Sequence, residues 1–227
     1  MARALIARHT RLQEVPGLPG LQLHLADDVL TLWHDVQLAT EDPDAPIPFW
    51  AFAWGGGLAL AHYLRDQPDA VLAKRVLDLG SGSGLCAIAA LKAGAASATA
   101  VDVDPIAAVA IGLNARANGV RIDVVQEDLL DAAPPDADVI VAGDLWYEQE
   151  FGERATAWLQ RARQGGTRVL IGDPGRRYLA SDGFTKVAEY EVRSTTDLED
   201  LGRTRASVYE LRTGAAAVDQ PGPARLT

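Results

Sequence analysis

The chain of 227 residues has a single cysteine, Cys86, so no internal disulfide and no thiolate metal cluster can form within it, a pattern that fits a reducing, cytoplasmic compartment. Cys86 is expected in the first turn of a helix. Positive charge is also scarce. The 21 Lys and Arg face 31 Asp and Glu, a net charge of -10 at pH 7, which argues against broad binding to nucleic acid or an anionic membrane. A basic protein surface is the better electrostatic match. No apolar run approaches the roughly 20 residues that span a bilayer, which predicts a soluble chain with no membrane partner. The four histidines, His9, His24, His34 and His62, lack ligand spacing, so no metal site is expected. The start, "MARALIARHTRL", has three arginines and no acid but lacks the serines of a transit peptide, and reads as a helix or a loose tail.

What the chain does have is apolar content of 48%, enough to bury a full core, and a length that suits one large domain, or one domain with an extension. "GLQLHLADDVLTLWHDVQLA" holds two β-rich runs around Asp27 and Asp28, which predicts a hairpin or strand pair in an N-terminal extension over residues 1–45. "TEDPDAPIP" is a loop by its prolines and acids. From Trp54 onward, Leu58, Ala61 and Leu64 recur at helical spacing, and Pro68 lies just beyond the end.

From Arg75 strand, loop and helix repeat. "RVLDL", "SATAVDVD", "RIDVVQED", "ADVIVAGD" and "TRVLIGD" read as strands; "LCAIAALKAGA", "DPIAAVAIGLNARANG" and a stretch from Glu150 to Arg163 read as helices. In the second helix Asp104 can cap, Pro105 suits the first turn and Asn118-Gly119 the end. Strands buried on both faces and alternating with helices predict an α/β fold built on a doubly wound, mostly parallel sheet. "FTKVAEYEVRS" and "TRASVYELR" add a C-terminal antiparallel hairpin. The domain is expected over 46–212, with a disordered tail over 213–227.

The stretch "VLDLGSGSG" places Gly80, Gly82 and Gly84 in the loop after the first core strand, where open parallel sheets bind ligands. A dinucleotide fingerprint would need glycine at position 85, where this chain has Leu85. Asp78 is the more selective feature: a carboxylate beside a pyrophosphate costs Coulomb energy, whereas beside an ammonium it gains it. Asp102 closes the second strand, where it can accept from ribose hydroxyls, and Asp128 closes the third, where it can accept from the exocyclic amine of a base. A glycine loop alone is a weak signal, and acids at strand ends are often only helix caps. An ammonium, a ribose and an adenine, with no phosphate, together describe S-adenosylmethionine.

With these residues the chain resembles the class I, seven-stranded S-adenosylmethionine-dependent methyltransferases, whose fold is Rossmann-like. Asp144-Leu145-Trp146-Tyr147 is similar to the D/E-x-x-Y/F motif of their lysine-modifying members. "PFWAFAWGGGLALAHYL", "VDVDPIAAVAIGLNARANG", "GDLWYE" and "RVLIGDPGR" resemble the family of lysine methyltransferases that act on the β subunit of electron-transfer flavoprotein, over residues 46 to 178. The resemblance implies that Trp54 lies beside the cofactor, that Gly80, Ser81 and Gly82 contact its methionine part, and that Asp102 with Val103 holds the ribose. Asp128 and Leu129 would border adenine, Gly143 would approach the cofactor closely, and Asp144 and Tyr147 would be catalytic, facing the incoming lysine. Gly55, where relatives commonly have proline, and Trp146, where they have smaller residues, are departures that bear on substrate choice.

Methyl transfer from a sulfonium needs an uncharged nucleophile held in line, and no metal. Asp144 would orient the lysine amine and accept its proton, with Tyr147 directing it through the hydroxyl. Trp50, Trp54 and Trp146 could wall the site, since aromatic faces attract sulfonium and ammonium alike. "GDPGRRYL" reads as a turn that exposes Arg176 and Arg177. The expected activity is protein-lysine methylation of the flavoprotein β subunit; the alternatives are methylation of a small amine or a nucleic-acid base, and a non-catalytic cofactor-binding module.

Overall fold

The computed structural model describes residues 1–179, 183–193 and 203–212. The expected tail over 213–227 and the turn between the last two strands lie outside them. The N-terminal part comprises α1 (Ala2–His9), β1 (Thr10–Glu14), β2 (Gln22–Ala26) and α2 (Val29–Thr40). α3 (Gly55–Asp66) leads into β3 (Arg75–Leu79), α4 (Leu85–Lys92), β4 (Ser97–Val101), α5 (Pro105–Ala117) and β5 (Asp123–Val125). Then come β6 (Val139–Gly143), α6 (Gln149–Gln164), β7 (Arg168–Asp173), β8 (Phe184–Arg193) and β9 (Arg203–Leu211).

β3 to β9 form one sheet of seven strands in the order β5-β4-β3-β6-β7-β9-β8. The first five are parallel; β9 pairs antiparallel with both β7 and β8. This is the doubly wound sheet with a terminal antiparallel hairpin that the sequence predicts. Its central strands β3, β6 and β7 are near-continuously apolar because both faces are covered. Val76, Val139, Val141 and Leu170 join a core with α3 and α4, while Leu77, Ile140, Val169 and Ile171 join a second core with Trp158 and Leu159 of α6. The chain order reverses between β3 and β6, so the crevice at their carboxyl ends is the place where such a sheet binds ligands.

The N-terminal reading needs correction. Only the first of the two β-rich runs is a strand: β2 pairs with β1, which begins at the end of the stretch expected to be helix or tail, the rest of that stretch being the helix α1. The second run is α2. The Asp28 side chain, read as part of a turn, caps it by accepting from the Thr31 N–H at 3.0 Å, and Val29, Leu32 and Val36 point inward at helical spacing. β-branched content is a weaker guide here than that period. Residues 1–45 also share a core with the domain: Leu5, Ile6, Leu32 and Val36 pack with Trp50, Phe52, Ile106 and Ala110.

α3 begins with three glycines, and the close approach of its first turn to the sheet requires the second of them, Gly56. A Cβ on Gly56 would stand 2.2 Å from the Gly172 carbonyl oxygen of β7, whereas one on Gly57 would meet nothing closer than 3.6 Å. Gly56→Ala should therefore cost about 3 kcal/mol or more of stability, while Gly57→Ala changes it by less than about 1 kcal/mol, as thermal unfolding of the two variants will show.

Candidate active site

A cavity of about 430 Å³ opens at the carboxyl ends of β3, β4 and β6. The β3–α4 loop forms one wall. Gly80 and Gly82 adopt φ of 64° and 54°, a left-handed backbone that disfavours any side chain, and a Cβ on Gly80 would also strike Leu145 at 2.5 Å. The Gly82 N–H donates to Asp102 Oδ2 at 2.7 Å, and Asp102 Oδ1 accepts from the Asp104 N–H at 3.0 Å. The amide that a phosphate cradle would offer to its ligand is thus committed to Asp102, and each Asp102 oxygen keeps a lone pair for a hydroxyl.

Asp78 lines the same wall at 1% exposure. Its Oδ2 accepts from the Ser81 hydroxyl at 2.6 Å and the Ala87 N–H at 3.0 Å, yet burial raises its carboxyl to about 7. The loop is held from behind by Asn114 of α5. Asn114 Nδ2 donates to the Ser83 carbonyl at 2.8 Å, and its Oδ1 accepts from the His24 N–H of β2 at 2.8 Å. The N-terminal hairpin therefore buttresses the glycine loop, a connection the sequence did not reveal.

Val103, 63% exposed, Asp128 and half-buried Leu129 line the far end. Asp128 does not close a strand, since β5 ends at Val125. It sits in the following loop, where Oδ1 accepts from the Leu130 N–H and Oδ2 from Arg154 of α6 at 3.0 Å. Those bonds hold its carboxyl below the usual range, the backbone N–H contributing most.

At the other end stands Asp144, with φ of 59°, its own N–H bound to the Gly172 carbonyl. Its Oδ2 accepts from the Gly57 N–H at 2.8 Å, at the positive end of α3, and its Oδ1 from Arg176 Nη2 at 3.0 Å. Gly143 lines the cavity, and its close neighbour is α3: a Cβ there would lie 2.9 Å from Gly57 N. Tyr147, 43% exposed, stands beside Phe49 and Phe151 with ring centroids 5.2 and 5.4 Å away, and burial pushes its phenol up. Trp54 donates its indole N–H to the Phe49 carbonyl and lines the cavity, as does Trp50, whose side chain is otherwise sunk in the core.

Trp146 is not part of the site. It is fully buried on the opposite side of the turn, its indole N–H donating to Thr156 Oγ1 at 2.9 Å and its ring edge-on to Phe184. Gly152 of α6 leaves the notch for it, since a Cβ there would touch the ring at 2.9 Å. The turn after β6 thus sends Leu145 and Tyr147 into the cavity and Trp146 into the core. Arg176 also departs from expectation: Asp173 Oδ1 accepts from the Gly175 and Arg176 N–H groups, and the guanidinium turns inward to Asp144 while Arg177 stays exposed. Cys86 lies in the first turn of α4, as expected, with its thiol pushed well up by burial. Among the described residues no group of three or more His, Cys, Asp or Glu could hold a metal ion, and no helix is long and apolar enough to cross a membrane.

An acid for an ammonium, a second acid with free lone pairs for a ribose, apolar cover at Val103 and Leu129, and a committed glycine amide fit S-adenosylmethionine and not a nucleotide phosphate. Fold and site define a class I S-adenosylmethionine-dependent methyltransferase. Residues 62–146 match the family model of ribosomal protein L11 methyltransferase (PrmA). The solved structure of a candidate RNA methyltransferase from Pyrococcus horikoshii shares the fold at TM-score 0.57 and 15% identity, covering 78% of this chain and 96% of that one. The electron transfer flavoprotein beta subunit lysine methyltransferase of Xenopus laevis is 36% identical over 213 residues, 91% of this chain and 85% of the relative. The protein of the same name from Rattus norvegicus is 41% identical over 169 residues, 72% of this chain and 66% of that relative, just under two thirds of its length. The chain belongs to the electron transfer flavoprotein beta subunit lysine methyltransferase family.

If Asp78 receives the cofactor's ammonium, it must be ionised to do so. Because burial raises its free carboxyl to about 7, cofactor affinity should be flat above that pH and fall by up to about 10-fold per pH unit below it, with Asp78→Asn weak and insensitive to pH. The same raised carboxyl makes its contribution to the stability of the ligand-free protein fall as pH rises from the ordinary carboxylate range through about 7. Calorimetric titration with S-adenosylhomocysteine from about pH 5.5 to 8.5 checks the first point; an affinity constant across that range would remove Asp78 from the site.

Proposed function

We propose that the protein methylates lysine side chains of a protein partner, and that this partner is the β subunit of electron-transfer flavoprotein. The observation that carries the reading is that the glycine loop and the Asp144–Tyr147 motif open into one cavity, in a chain of this family. When bound, S-adenosylmethionine supplies an electrophilic methyl whose bond pair returns to sulfur as a neutral thioether while the amine lone pair forms the new carbon–nitrogen bond.

The chain's own residues make the amine competent. Free lysine has a pKa of about 10.4, and entry between Phe49, Tyr147 and Phe151 strips water from the ammonium and favours the neutral form, the proton passing to solvent water before the amine is seated. Asp144, pinned by the Gly57 N–H, accepts an amine N–H and so aims the lone pair back toward the glycine loop. Tyr147 borders the entrance, where its hydroxyl can limit the amine's rotation. Glu148, exposed and close enough to Tyr147 to act on its phenol, adds negative charge beside that lining residue, which suits a basic partner surface. The overall acidity of the chain supports the same choice over nucleic acid.

Incubation of purified flavoprotein with the protein and methyl donor should add mass in steps of one methyl group on lysine, and a Lys→Arg substrate should take up none. Asp144→Ala should lower turnover by about 100-fold or more while cofactor affinity stays within about 3-fold of the parent. Absence of lysine methylation by the parent protein would overturn the reading.

A further inference from the structure

Arg176, the charged partner of Asp144, has no part in the reaction as described so far. Arg176 leaves the turn after β7, its guanidinium meets Asp144 Oδ1 at 3.0 Å, and both residues line the cavity. An acid without this partner would harm the reaction. A lysine arriving as ammonium beside a lone carboxylate gains an ion pair, its pKa rises, and its lone pair stays protonated. An acid matched by a guanidinium, which does not deprotonate in proteins, keeps lone pairs for an N–H while presenting no net charge to hold the ammonium. We propose that Arg176 is a positioning residue acting through Asp144: it cancels the acid's charge, so that substrate lysine is held as the neutral nucleophile instead of being trapped as its ammonium.

This inference rests on the lysine reading above. Among the described residues, the other ionisable groups around the pair are otherwise engaged or lie elsewhere. Asp78 is bound to Ser81 and Ala87, Asp102 to Gly82 and Asp104, and Asp104 caps α5. Asp128 is paired with Arg154, beside Glu127, at the far end of the cavity, and Asp173 is bound to the backbone of its own turn. Burial pushes the Cys86 thiol and the Tyr147 phenol upward, so both stay neutral near pH 7. Glu148 and Arg177 are exposed, the latter against the Tyr178 ring, and the start of α3 offers only backbone.

The test compares the parent with Arg176→Gln, which keeps a donor and loses the charge, and Arg176→Lys, which keeps the charge. In initial-rate methylation of the flavoprotein β subunit, Arg176→Gln should have kcat reduced about 10-fold near pH 7 and recovering above about pH 9, its acid limb moved up by about one pH unit, with KM unchanged or lower. Arg176→Lys should keep the parent's limb. A limb set by Asp78 would not move with residue 176. Calorimetry with S-adenosylhomocysteine present should show substrate binding to Arg176→Gln about 5-fold tighter at pH 7, and unaltered cofactor affinity will show that the variant is folded. An equal loss of kcat at every pH, a raised KM, or weaker substrate binding overturns the inference. Should Arg176→Gln fail to fold, a moved acid limb in Arg176→Lys overturns it and a parent-like limb supports it. Lysine methylation by the parent with an unmoved limb defeats this inference alone; no methylation by the parent defeats the lysine reading and this inference together.

Discussion

The hydrogen bond from the Gly57 amide to the Asp144 carboxylate ties the first turn of α3 to the end of β6, and the arrangement of the site follows from it. The approach is possible because Gly56, Gly143 and Gly172 carry no side chains where helix and strands meet. It also requires Asp144 to take a left-handed backbone, a strained choice for a residue other than glycine, stabilised by the bond from its own N–H to Gly172. The helix N-terminus and Arg176 then face one carboxylate from two sides. In consequence the acid has a fixed direction toward the cavity before any ligand arrives, and its two oxygens face neighbours of opposite polarity to its own.

The cofactor side is ordered by the same economy of committed groups. Asp102 takes the Gly82 amide, Asp78 takes Ser81 and the first turn of α4, and Asn114 takes the Ser83 carbonyl while holding β2. What remains open are carboxylate lone pairs and apolar surface, a set suited to an ammonium, hydroxyls and a base, and unsuited to phosphate. The N-terminal segment is therefore structural support for the glycine loop, since its core residues pack on α5 and Asn114 of that helix bridges β2 to Ser83.

Much of this was legible in the sequence. Continuous apolar strands between helices gave the parallel sheet, because both faces of β3, β6 and β7 are covered; Asp78 and Leu85 separated the glycine loop from a dinucleotide site by charge and spacing alone. Two misses share one cause, which is that the direction of a side chain out of a turn depends on partners outside that turn. Trp146 was placed in the site by its neighbours Asp144 and Tyr147, but the notch at Gly152 and the hydroxyl of Thr156 draw it into the core. Arg176 was placed in solvent by a correct reading of its turn, and Asp144 draws it inward. α2 was misread because its residue types favour strand while its period of burial is helical. Asp128 was assigned to a strand end that stops earlier, with Arg154 as the partner no local pattern could name.

The central claim is that Asp144, held by α3, receives the substrate amine opposite the cofactor loop. A crystal structure of the protein with S-adenosylhomocysteine and a lysine-bearing segment of its substrate tests this directly. The account predicts lysine Nζ within about 3 Å of the Asp144 carboxylate, with the Gly57 bond intact and the thioether sulfur seated over the glycine loop. A lysine nitrogen bound to another acid, or an Asp144 turned away from the cavity, would contradict it.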